Sequence, residues 1–117
     1  TRTQIERTLS EGLIKFLEKH MGERVEMLSV QLIEDVIIVR LKNLLPPAEK
    51  YLIKDKQGLR LVKELKTKII EEAKDKLKYL IKDLIWMDII DIYVSFDTEE
   101  GEIILIFSLD KKQEDKF

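Results

Sequence analysis

The stretch "VEMLSVQLIEDVIIVRLK", residues 25–42, alternates apolar and polar side chains around a central Glu34–Asp35 pair. Side chains two apart on a strand share a face, so Leu28, Val30 and Leu32 line one side of a first strand and Ile37, Val39 and Leu41 line one side of a second. The reading is a β-hairpin that turns at Glu34 and Asp35. Residues 90–109 repeat the pattern, with Ile90, Ile92, Val94 and Phe96 on one side, a turn in Thr98, Glu99, Glu100 and Gly101, and then Ile103, Leu105, Phe107 and Leu109. The opposite face of the two hairpins carries Met27, Ile33, Ile38, Tyr93, Ile104 and Ile106, more apolar surface than a sheet with one wet side should hold. Those six positions are the expected contact surface of a homodimer or higher oligomer, Ile38 and Ile104 above all.

Helical periods flank the first hairpin. Ile5, Leu9, Leu13, Phe16, Leu17 and His20 recur on one side of residues 3–21, and Gly22 stands where a left-handed C-cap would end the turn. Gly12 falls on the same apolar side, which implies close approach to a neighbour, expected to be the sheet. Gly58 to Trp86 reads as one long helix with the stripe Val62, Leu65, Ile69, Ala73, Leu77, Leu80 and Leu84, flanked by Leu59, Ile70 and Ile81. At 1.5 Å per residue such a helix is about 40 Å long and would overhang a single subunit. Trp86 is expected to close the core at its end.

Between hairpin and long helix lies "LLPPAEKYLIKDKQG", residues 44–58, with both prolines of the chain. Pro47 suits the first position of a short helix over residues 47–56, because its fixed φ matches and its missing N–H would be unpaired there anyway. Pro46 holds Leu45 extended. Glu49 meets the positive end of the short helix, while Gln57 and Gly58 are expected to break it, Gly58 in a left-handed corner. The result is α+β: a two-layer domain over residues 1–110, with a four-stranded, mainly antiparallel sheet and the first and long helices on one face. Helix, hairpin, helix, hairpin is in outline an internal duplication. Residues 111–117, "KKQEDKF", read as a charged, frayed tail.

Composition narrows the chemistry. The 117 residues carry 44% hydrophobic and 38% charged side chains, a net charge of −2 and no cysteine. Thiolate nucleophiles, disulfides and zinc–cysteine sites are thereby excluded. His20 is the single histidine, placed to interact with a helix C-terminus, and Asp88, Asp91 and Asp97 read as solvated strand-edge charges. No phosphate-binding glycine loop or nucleophile elbow occurs, so no catalytic, cofactor or metal residue is expected and an enzyme is disfavoured. Abundant Lys, Glu and Ile beside a single asparagine resemble proteins from hot environments. No targeting or membrane-spanning segment is visible, and a cytoplasmic protein, peripheral to the membrane at most, is expected.

Residues 46–83 hold eleven Lys or Arg against seven Asp or Glu. Arg60, Lys63, Lys74, Lys78 and Lys82 lie away from the apolar stripe and form a basic surface that would suit anionic lipid or an acidic partner. The i,i+4 pairs Glu64–Lys68 and Glu72–Lys76 instead favour an ordinary solvated face. Nucleic acid is disfavoured by the acidic balance.

A helix ending in glycine, a hairpin, Leu45, Pro47, Ala48 and Glu49, a corner at Gly58, a long helix and a second hairpin together resemble the MpsC family across nearly the whole chain. The family's recurrent Leu-x-Pro-Ala-Glu usually has threonine where this chain has Pro46, and its Gly-Arg-Gly-Pro turn is replaced here by Gly22, Glu23, Arg24 and Val25. The resemblance implies a soluble accessory protein of a bacterial membrane-potential-generating system, tied to cation or bicarbonate uptake, with a protein partner at the membrane and no established catalytic residues. The alternatives are a peripheral anionic-membrane or nucleic-acid binder using the lysine side of the long helix, and a small-molecule sensor with a pocket between sheet and helices.

Overall fold

Both hairpins form as their alternation predicts, and they join through their second strands. The computed structural model describes residues 1–22, 24–43, 46–97 and 101–110. The order is α1 (Arg2–Met21), β1 (Val25–Ile33), β2 (Val36–Asn43), α2 (Pro47–Leu52), α3 (Lys56–Glu72), α4 (Lys74–Ile85), β3 (Ile89–Asp97) and β4 (Glu102–Leu109). The sheet runs β1-β2-β4-β3, and every pairing is antiparallel. Its register stacks the apolar residues in rungs on the inner face: Leu28–Leu41–Ile103–Phe96, Val30–Val39–Leu105–Val94 and Leu32–Ile37–Phe107–Ile92. Helices α1, α3 and α4 add Leu9, Leu13, Leu17, Val62, Ile70, Leu77 and Ile81 to form one core. Each such buried side chain contributes about 1.5–3 kcal/mol relative to exposure.

Helix α1 starts with a capping box, Thr1 accepting from the Gln4 N–H, and stops at Gly22 with φ 67°, the left-handed cap expected of it. Two of its carboxylates also reach the sheet: Glu6 accepts from the Leu32 N–H at 2.8 Å and Glu18 from the Val25 N–H at 3.0 Å. Both N–H groups belong to β1, an edge strand, so α1 satisfies part of an edge that would otherwise invite another strand. At the hairpin turn Glu34 is held at φ 52°, the left-handed region, and is solvent-exposed. Glu34→Gly removes that backbone cost and is expected to raise the unfolding free energy by about 1 kcal/mol. Urea titration checks it.

Several local expectations are overturned. The long helix is two helices that meet at Ala73, whose N–H is shared between the carbonyls of Ile69 and Ile70 at 3.1 and 3.0 Å. Neither glycine nor proline marks the break. Before the break the buried positions Gly58, Val62, Lys66 and Ile70 advance four residues at a time, so the stripe winds about 40° per step around a helix of 100° per residue. The three-residue step to Ala73 turns it back, and Leu77, Ile81 and Ile85 continue by fours. Leu65, expected inside, is consequently 48% exposed.

Gly58 does not end a helix. It lies in the first turn of α3, donating its N–H to the N-cap Asp55 at 2.7 Å, and α2 stops already at Leu52. Gly12 approaches a helix, not the sheet: a Cβ there would stand 2.6 Å from a methyl of Leu84 on α4. Trp86, expected in the core, is 75% exposed and caps α4 in the left-handed conformation, φ 62°. Ile90, expected to face inward, points out because a bulge between Ile89 and Asp91 hands the inner position to Ile89. Leu45, the Thr98–Glu100 turn and the tail of residues 111–117 lie outside the described residues.

Candidate functional site

Two features stand apart from ordinary packing, an uncovered sheet face and a buried ion pair at the corner between α2 and α3.

The uncovered face is the outer side of the same four strands. Its rungs read Ile33–Val36–Ser108–Asp91, Gln31–Ile38–Ile106–Tyr93, Ser29–Arg40–Ile104–Ser95 and Met27–Lys42–Glu102–Asp97. All six residues expected there are brought to this one face. Met27, Ile33 and Tyr93 are 65%, 49% and 55% exposed, and Ile38, Ile104 and Ile106 are half-buried by their neighbours in the sheet. The centre is apolar and the charge is sorted across it. Arg40 and Lys42 sit on β2, whereas Glu102, Asp91 and Asp97 sit on β4 and β3. Arg40 grips Glu102 through Nε at 3.0 Å and a terminal nitrogen at 2.7 Å.

The corner is built by proximity. Pro46 caps α2 with φ −59° and ψ 153°, and Pro47 occupies the helix start as its geometry predicts. Helix α2 buries none of its own residues yet lies against α3, close enough at Gly58 that a Cβ would fall 1.6 Å from the Leu52 carbonyl oxygen. Glu49 leans from α2 toward Lys66 on α3, whose Nζ lies 2.9 Å from Oε1 and 3.2 Å from Oε2. Oε2 receives the directed hydrogen bond, and buried Oε1 is held chiefly by charge. Lys66 is only 1% exposed. Burial pulls its ammonium down from 10.5 to about 8 and pushes the Glu49 carboxyl up from its ordinary value. Glu49 and Gly58 are residues of the family-like segment, as are the exposed Pro47 and Ala48. Lys66 went unrecognised in the sequence reading. Its signal was its place four residues from both Val62 and Ile70, a cation in the middle of an apolar row.

The lysine side of α3 and α4 is less uniform than the charge count implies. Arg60 and Lys63 share a surface groove with Glu64 and Glu71, and Lys78 and Lys82 share another with Asp75 and Asp88. Lys82 pairs with Asp88 at 2.8 Å, while Lys74 is half-buried at the start of α4. Lys68 reaches Glu72 at 3.0 Å, in place of the expected Glu64–Lys68 and Glu72–Lys76 pairs, and this contact raises its pKa. His20, in the last turn of α1, stacks on Phe16 with ring centroids 4.1 Å apart. No group of three or more His, Asp or Glu among the described residues is arranged to hold a metal ion. No described helix is long and apolar enough to cross a membrane.

The comparisons with known proteins agree on one assignment. A family model described as "Na+-translocating membrane potential-generating system (MpsC)" matches residues 1–111. The uncharacterized protein YbcI of Bacillus subtilis (strain 168) is 23% identical over 109 residues, spanning 93% of this chain and 88% of its own length. No solved structure matches.

Proposed function

The chain belongs to the MpsC family, and we propose that it is a non-enzymatic accessory protein of a membrane-potential-generating system, acting by protein contact in support of cation or bicarbonate uptake. The observation that carries this reading is the outer sheet face, an apolar centre with sorted charges that no described helix covers. Such a face costs free energy in water unless a partner takes it, and contiguous apolar patches on soluble domains mark contact sites. The corner carrying Glu49 serves as a rigid brace. The basic side of α3 and α4 is interleaved with carboxylates, which favours a solvated surface over a lipid or nucleic-acid footprint.

The test is complementation. Bacteria lacking the gene should show a reduced sodium-dependent membrane potential, read with a voltage-sensitive dye, which the parent chain restores and Ile104→Asp does not. Full restoration by Ile104→Asp, at equal protein level, overturns a role for this face. A turnover that survives purification and is lost in a point variant overturns the non-enzymatic reading.

A further inference from the structure

We infer that the outer face is occupied by a second copy of this chain, related by a two-fold axis that runs along the strands midway between β2 and β4. The inference rests on the reading of that face as a contact surface and adds its occupant and geometry.

Charge selects both. A two-fold axis parallel to the strands keeps each rung at its own level and reverses the strand order, so β2 faces the partner's β4. Ile38 then meets the partner's Ile106, and Lys42 meets the partner's Glu102. Each contact occurs twice by symmetry, giving two apolar pairs and two ion pairs beside the axis. The same axis sets Arg40 over the partner's Ile104 and Val36 over the partner's Ser108. Further out the outer-face residues of β1 lie over β3, so that Gln31 meets the partner's Tyr93, Ser29 the partner's Ser95, Ile33 the partner's Asp91 and Met27 the partner's Asp97. An axis across the strands does the opposite. It would stack Asp91 on the partner's Asp97, placing like charges together, and it would set Lys42 and Glu102 against the partner's Val36 and the partner's Ser108, so that no opposite charges meet across the axis. Aligned sheets cross at about 30°, so registry is kept best near the axis, where the matched residues lie.

Area agrees with charge. Four strands about 4.8 Å apart, with about eight residues of 3.4 Å each, cover about 500 Å². Two copies hide about 1,000 Å², the lower bound for a specific interface. The product is an eight-stranded sandwich with the helices outermost.

Light scattering on the whole chain at micromolar concentration should give twice 13.9 kDa. Ile106→Asp, which sets a carboxylate against the partner's Ile38, should give the single-chain mass while keeping its helical circular dichroism. The geometry is tested by charge exchange: Lys42→Glu and Glu102→Lys chains should each be single, because each would oppose like charges across the axis, and an equimolar mixture should recover the double mass. A parent that stays single at high concentration overturns the dimer, while failed complementation by Ile104→Asp would still uphold a contact role with another protein. A double-mass parent that Ile106→Asp leaves intact, or whose charge variants do not rescue each other, overturns this arrangement.

Discussion

Glu49→Ala is expected to lower the unfolding free energy by about 3 kcal/mol at neutral pH, because it removes a carboxylate that lies against a buried cation. Lys66 is 1% exposed on α3, and Glu49 brings both carboxylate oxygens within ion-pair reach of it. The pair is not expected to stabilise the fold relative to an apolar replacement, since desolvation of two charges offsets their attraction. A Glu49→Leu, Lys66→Met double variant should therefore recover most of the loss or exceed the parent. The pH dependence separates the groups. Folded Lys66 releases its proton near pH 8, whereas the unfolded chain holds it to about 10.5, so between those values the unfolded state binds more protons. Stability contributed by this site thus rises with pH across that window, by on the order of 3 kcal/mol at most. The folded carboxyl of Glu49 is raised, so its contribution runs the other way, falling as pH climbs above the ordinary carboxylate value. Urea titrations from pH 4 to 10 check both claims. Lys66→Met should flatten the alkaline rise, and the deficit of Glu49→Ala should shrink as Lys66 becomes neutral; a deficit constant with pH would remove charge as its cause.

Gly58→Ala should cost on the order of 3 kcal/mol, although alanine in a helix ordinarily gains about 1 kcal/mol over glycine. A Cβ at this position would stand 1.6 Å from the Leu52 carbonyl oxygen and 2.5 Å from its carbon, and both atoms are backbone. Rotamer changes cannot relieve such a clash. The whole of α2 must move away from α3, taking Glu49 with it, so the ion pair loosens in the same variant. Gly58→Val should be worse. The loss should appear as a lowered denaturation midpoint in both variants, with the alkaline slope of Lys66 diminished because the opened corner lets water reach its ammonium. An alanine variant as stable as the parent would show that the corner is open in solution. The left-handed conformation suggested by the sequence does not cause this sensitivity, since Gly58 is helical and its constraint is the neighbouring chain.

What could be read from residues alone was whatever depends on neighbours in the chain. Alternation from Val25 to Lys42 assigned the inner face rung by rung, and Gly22 and Pro47 marked a helix end and a helix start, because strand faces, φ and missing donors are local properties. The same local logic gathered Met27, Ile33, Ile38, Tyr93, Ile104 and Ile106 on one face before the strand order was known. Tertiary structure decided the rest. The union of the hairpins through β2 and β4 places Ile38 beside Ile106 across sixty-eight residues of sequence, and no period encodes that choice. Whether Gly58 and Gly12 serve a turn or a close approach depends on Leu52 and Leu84, which the fold brings to them. Lys66 occupies an apolar row that a local reading assigns to Leu65 and Ile69, and only the placement of α2 over α3 brings the Glu49 carboxylate to it. A side chain's period reports which way it points, whereas its energy depends on what stands opposite, and that is set by how distant elements cross.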